Sequence, residues 1–219
     1  TEDSTRPNMT LLRDYIHRWG RPVALYADRA SHFKTTRDAT VDEQLNDQEP
    51  ETQIGRALRQ LNIRYIAASS PQAKGRIERC FRTLQDRLVK ELRLRKISCV
   101  QEANDYLEQE FLPRWNRRFT QKPACSLNAH RGRKGFDLDA IFNIQDTRTV
   151  TNNYTVRFRN QILQIERRSV SRGLRGDQVI VEERLDGSLR IRWRERYLKH
   201  EPVAATPVGL RPSSVAAIG

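Results

Sequence analysis

Long apolar runs are missing from this 219-residue sequence, which is 37% hydrophobic, and no stretch reaches the about 20 apolar residues of a membrane-spanning helix. No basic-then-apolar leader opens it, so the expectation is a soluble, intracellular protein. Cysteine is scarce and odd in number. Cys80, Cys99 and Cys125 lack the paired spacing of a zinc site or a disulfide framework and read as small buried hydrophobes. His17, His32, His130 and His200 are as dispersed, which excludes a metal-ligand pattern by spacing. Acidic residues are in deficit: 27 Asp and Glu against 40 Lys and Arg give a net charge of +13 and a pI near 10.3. That excess points to a polyanionic partner, a nucleic acid or an acidic membrane surface.

What is present reads first as alternating helices and strands. Leu12, Ile16 and Trp19 share one face of a helix over about residues 8–19, closed by Gly20 and Pro22. VALYA, residues 23–27, is apolar throughout and predicts a strand buried on both faces, with Asp28 just beyond its carboxyl end. In open α/β sheets ligands bind at that edge, although an Asp there can equally cap a turn. Residues 37–51 hold six acids and one base without period and read as a solvated loop. Asp38, Asp42 and Asp47 within it lack the fixed spacing of a calcium loop. Thr52 predicts the N-cap of a helix carrying Ile54, Leu58 and Leu61, Asn62 its end, and IRYIAA the next strand. This alternation is that of a crossover-connected sheet.

The densest stretch is Ser69 to Lys96. Pro71 and Gly75 mark a helix entry, and Ile77, Phe81, Leu84 and Leu88 form an apolar stripe expected to face a core. Residues 73–96 hold nine Lys or Arg against three acids, so the outer side suits a polyanion. Glu78 stands near the start; in an ordinary solvated helix it would pair with Arg82 one turn on. Residues 101–119 predict another helix with Ala103, Tyr106, Leu107, Phe111 and Leu112 inward, which Pro113 would kink or end.

Residues 120–147, with Pro123, Gly132 and Gly135 and little period, read as a linker in which His130 has no assigned chemistry. From 148 to 200 the texture changes to short alternating strands, TVRF, QILQIE, QVIVEE and LRIRWRE, with Arg159-Asn160 and Asp186-Gly187 as tight turns. A small β barrel is expected there. It holds thirteen bases and six acids, and Arg190, Arg192 and Arg194 alternate with apolar residues to give a basic face, suited to phosphates or to a protein partner. Residues 201–219 read as a disordered tail.

SPQAKGRIER followed by TLQDRLVKELRL resembles the block around the last acidic residue of DDE transposases with an integrase catalytic core, of the ISNCY insertion-sequence type. YIHRWGRPVALYADRASHF resembles the segment of that family that carries the second carboxylate, and PACSLNAHR its Pro and His passage after the core. The resemblance implies a partial RNase H-like core over residues 1–119 and an SH3-like DNA-binding barrel over 148–200. It implies Asp28 and Glu78 as catalytic ligands of a Mg²⁺ (or Mn²⁺) pair, with Lys74, Arg76, Arg79 and Arg82 as candidates for the phosphate backbone. The partners implied are double-stranded DNA, at transposon ends and target, and further copies of the full-length protein, with no membrane; the location implied is the bacterial cytoplasm at the nucleoid.

TEDST at residues 1–5 resembles the family's passage between the third strand and the first helix. The three strands before it, which need roughly 25 to 30 residues, and the first carboxylate are therefore expected to be missing, and the two-metal site incomplete. Two other readings stand beside a transposase or integrase fragment: a catalytically inactive DNA-binding remnant, and an RNase H-like host nuclease.

Overall fold

Pro7 sits in the first turn of the first helix, where its missing N–H leaves no bond unmade, so α1 runs Thr5–Trp19. In the computed structural model the described residues are 5–27, 33, 35, 50–68 and 71–203, without the side chains of 71–74 and 76. They fall into two compact units, Ile16–Lys134 and Thr1–Tyr15 with Gly135–Gly219.

In the unit Ile16–Lys134, Gly20 closes α1 at φ 88°, its N–H donating to the Ile16 carbonyl at 2.9 Å. Strand β1 (Ala24–Ala27) follows, then α2 (Gln53–Gln60) and β2 (Arg64–Ala67). Thr52 caps α2 by accepting from the Gly55 N–H at 3.0 Å, and Asn62 ends it at φ 56°. Ile54, Ala57, Leu58, Leu61 and Ile63 are buried with Ile16. β1 and β2 pair in parallel, Ala24 opposite Arg64 and Ala27 opposite Ala67, as a crossover through a helix requires.

β1 departs from the expectation of burial on both faces: Val23 is 49% and Tyr26 51% exposed. The described sheet has two strands, so each is an edge. A second departure concerns α3 (Pro71–Leu94). Ile77 and Phe81 of its apolar stripe are more than half exposed and Leu84 and Leu88 only partly buried, so the stripe does not face a core along its first turns.

The chain turns back through Lys96 at φ 55° into α4 (Val100–Tyr106), a π turn (Leu107–Phe111) and α5 (Leu112–Phe119). Pro113 does not end this helix: it is the second residue of α5, which continues directly from the π turn to Phe119. The π turn adds one residue to the register, with the Leu112 N–H donating to the Leu107 carbonyl. Contrary to expectation, Cys80, Cys99 and Cys125 are all exposed, since they lie on an outward helix face, at a helix start and in an open segment.

In the other unit, part of the segment read as linker is ordered. Asp137 caps a short helix α6 (Leu138–Ile141), accepting from the Asp139 and Ala140 N–H groups, and β3 begins at Asn143. Four residues are too few for a helical period to show in sequence. The strands are β3 (Asn143–Thr149), β4 (Thr155–Phe158), β5 (Gln161–Ile165), β6 (Gln178–Arg184), β7 (Leu189–Trp193), β8 (Arg196–Leu198) and β9 (His200–Val203), the last reaching into the expected tail.

They form no closed barrel. β3-β6-β7-β8 make one sheet and β4-β5-β9 another, all pairs antiparallel. Val156, Phe158, Leu163 and Ile165 from the smaller sheet and Val179, Val181, Ile191, Trp193 and Leu198 from the larger share one buried core. Strand alternation fixes one apolar face per strand, which stacked sheets bury as well as a barrel does. Both expected turns form, with Arg159 at φ 51° and Gly187 at φ 85°. No helix among the described residues is long and apolar enough to cross a membrane.

Candidate nucleic-acid interface

Parallel pairing brings the carboxyl ends of β1 and β2 to one edge of the sheet, where the Ala68 N–H donates to the Ala27 carbonyl at 2.8 Å. Ala27 is the last described residue of β1; Asp28 lies outside the described residues. From β2 the chain enters α3 at Pro71, and Glu78 stands at the start of its third turn, exposed to solvent. Among the described residues no ion pair joins Glu78 to Arg82, whereas Lys90 Nζ lies 2.5 Å from Asp86 on the same helix. Arg79 and Arg82 are exposed one turn apart; the side chains of Lys74 and Arg76 lie outside the described residues. Among the described residues no three His, Cys, Asp or Glu side chains gather as a metal site.

α3 is braced by the helix that follows it through a polar seam. The Glu91 carboxylate accepts from the Tyr106 hydroxyl and from Arg114 Nη2, and Arg114 Nη2 also donates to the Tyr106 oxygen at 2.6 Å. Arg95 stacks its guanidinium 4.4 Å from the Tyr106 ring centroid and bonds Glu110 at 2.7 Å. The Tyr106 hydrogen bond, with Arg114 beside it, holds the Glu91 carboxyl below its ordinary value, while burial and Glu91 push the Tyr106 phenol up.

A second seam joins distant parts of the same unit. Arg21 and Arg131 exchange backbone hydrogen bonds at 2.9 and 2.8 Å, and their guanidiniums serve carbonyls. Arg21 donates to Leu61 O at 2.5 Å and Gly132 O at 2.9 Å, and Arg131 to Pro22 O and Asn62 O. Burial, with Arg131 beside it, lowers the Arg21 pKa from its ordinary value.

The arginines expected to form the basic face of the β unit divide by environment. Arg190 is exposed on β7. Arg194 stands in the β7–β8 turn at φ 55°, its side chain 73% exposed and its guanidinium 4.6 Å from the Trp193 ring centroid. Arg192 is turned inward to buried Glu182, with Nε 2.9 Å from Oε1, and the Tyr197 hydroxyl donates to Oε2 at 3.0 Å. Glu183 next to it is bridged by Arg6 at 2.7 Å and Arg159 at 2.5 Å.

No protein-family model matches the chain. Over 190 residues, 85% of the chain and 40% of the relative, it is 38% identical to the "Putative transposase y4bF" of Sinorhizobium fredii strain NBRC 101917 / NGR234. The chain is similar to a transposase over most of its own length. A second similarity, 31% identity over 151 residues, covers 69% of the chain and 31% of the transposase for insertion sequence IS1202 of Streptococcus pneumoniae. The chain thus spans less than half the length of either curated relative.

The Arg21–Arg131 strap and the Glu91–Tyr106–Arg114 seam are not legible in the sequence. Each joins residues whose spacing follows no helical or strand period. A partial signal for the second was the recurrence of aromatics at Phe111, Trp115 and Phe119, one helical turn apart.

Proposed function

We propose that the chain is part of a DDE transposase of the ISNCY type, built from part of an RNase H-like integrase core and an SH3-like DNA-binding module, and acting in transposition and DNA integration. The similarity to transposases over 85% of the chain carries the reading. The exposed Glu78, on the helix that follows the second of two parallel strands, supports it. In this proposal Asp28 and Glu78 are ligands of a Mg²⁺ or Mn²⁺ pair. Their carboxylates are the hard oxygen donors such ions require, and Glu78 is open to solvent to receive one.

When bound, the metals supply polarisation of the attacking and leaving oxygens of a phosphodiester undergoing in-line displacement. The chain's own residues hold the DNA in register. Lys74, Arg76, Arg79 and Arg82 take backbone phosphates beside Glu78, while Arg190 and Arg194, with Arg192 behind them, offer cations on the β unit. Double-stranded DNA is the partner, several copies of the whole protein act together, and the work is done at the bacterial nucleoid.

Calorimetric titration of the chain with Mg²⁺ and with Mn²⁺ tests the site. Weak binding, lost in Asp28→Asn and in Glu78→Gln while duplex binding stays within about twofold, is the expected result. Cation binding that neither substitution changes would remove both residues from the proposed site.

A further inference from the structure

Between α3 and the helix that returns along it lies a pocket whose walls are aromatic and cationic. Phe111, Trp115 and Phe119 form a column, with ring centroids 5.8 Å apart at 20° for the first pair and 4.3 Å apart at 40° for the second. The column rises from the interior to the surface: Phe111 is 3% exposed and Phe119 41%. Arg87 from α3 and Arg118 from α5 place their guanidiniums 5.0 and 5.6 Å from the Phe119 ring centroid. The carboxylate in the wall, Glu91, is occupied by Tyr106 and Arg114. Among the described residues neither Arg87 nor Arg118 forms an ion pair, so two planar cations face the opening without a countercharge.

A ligand that satisfies such walls has a flat π face and a phosphate a few ångströms from it. We propose that this pocket seats an unpaired nucleotide of a DNA strand, its base stacked on the Trp115–Phe119 end of the column and its phosphate between Arg87 and Arg118. A paired base inside a duplex shows no free face to such a pocket, so the site would act on overhangs or extruded bases. The choice of DNA over another anion rests on the transposase reading above; the walls alone specify a planar group with an attached anion.

The test uses the whole chain and three fluorescent DNAs: a blunt duplex, the same duplex with a short single-stranded overhang, and that overhang with one abasic position, which keeps the phosphate and removes the base. Tighter binding of the overhang than of the blunt duplex, with most of the gain lost at the abasic position, is the expected pattern. Trp115→Leu and Phe119→Leu should each remove about 5- to 100-fold of overhang affinity, the range of one stacked base, and leave blunt-duplex affinity unchanged. Because Phe119 is the exposed end of the column, its substitution keeps the test decisive if Trp115→Leu fails to fold. Equal affinity for intact and abasic overhangs, or an equal loss on blunt duplex, would overturn the proposal. Displacement of the overhang by polyglutamate at matching charge would do the same by assigning the pocket to anions in general. Base-dependent overhang binding without any blunt-duplex binding would uphold the pocket and sink the duplex-binding reading instead.

Discussion

Arg192 reaches back from β7 to a Glu182 carboxylate whose side chain is 2% exposed, its Nε 2.9 Å from Oε1. Removing one partner of such a pair leaves a buried charge unmatched, which costs about 3 kcal/mol or more. Arg192→Ala should therefore unfold the β unit at distinctly lower urea, whereas Arg190→Ala, on the same strand but exposed, should stay within about 0.5 kcal/mol of the parent. Urea melts of equal midpoint for the two variants would refute this division of labour.

Binding to duplex DNA should weaken steeply with salt, because the affinity of a +13 chain comes mainly from phosphates neutralised and counterions released. Arg79→Ala and Arg82→Ala should each lower the slope of log affinity against log salt by about 1. Fluorescence anisotropy at four or five salt concentrations reads both effects, and a slope near zero would remove the electrostatic reading of α3.

Gly20 is held twice over. Its φ of 88° disfavours any side chain, and a Cβ there would meet the Arg131 carbonyl oxygen at 2.8 Å. Gly20→Ala should cost at least about 1–2 kcal/mol from the backbone conformation alone, with the strap contact adding to it. Calorimetric melting should show the loss, and an unchanged melting temperature would mean that the strap is not closed in solution.

Acid should loosen the β unit in a defined window. Asp177 accepts from Trp193 Nε1 at 2.7 Å and from the Gln178 N–H at 2.9 Å, and these bonds hold its carboxyl below the ordinary 3.8. A depressed carboxyl contributes stability that is whole above its unfolded value and is lost as pH falls through the folded one. Urea midpoints should therefore hold above about pH 4 and decline below it. Asp177→Asn, which keeps an acceptor for Trp193 but does not titrate, should flatten part of that decline; an unaltered pH profile would discount the bond.

Legibility followed locality. The Thr52 cap, the Asn62 stop and the turns at Arg159 and Gly187 each depend on one or two residues with a specific backbone preference, and each formed as read. Burial was less legible. Ile77 and Phe81 have the spacing of a core stripe, but whether a stripe is covered depends on what packs against it, which no helix records in its own sequence. The same holds for Arg192 on β7: alternation put it on the outer face, and only the structure shows it reaching diagonally to Glu182 on β6, whose direct cross-strand partner is Arg190. Tyr106 and Phe111, both read as inward, are buried, whereas the π turn between them, which shifts the helix face by one residue, was not legible in the spacing.

The parallel pairing of β1 with β2 also sets an order of events at the ribosome. Hairpins such as β4–β5 close within microseconds of leaving the exit, since their partners are separated by a tight turn. Among the described residues Ala24–Ala27 pairs with β2 alone and waits for it until Ala67 has emerged, about two to eight seconds at ordinary translation rates. Throughout that interval a short strand with Tyr26 turned outward offers unpaired amide and carbonyl groups to any other nascent chain. The yield of soluble protein should thus be limited at this strand, and slower initiation or lower expression temperature should favour it.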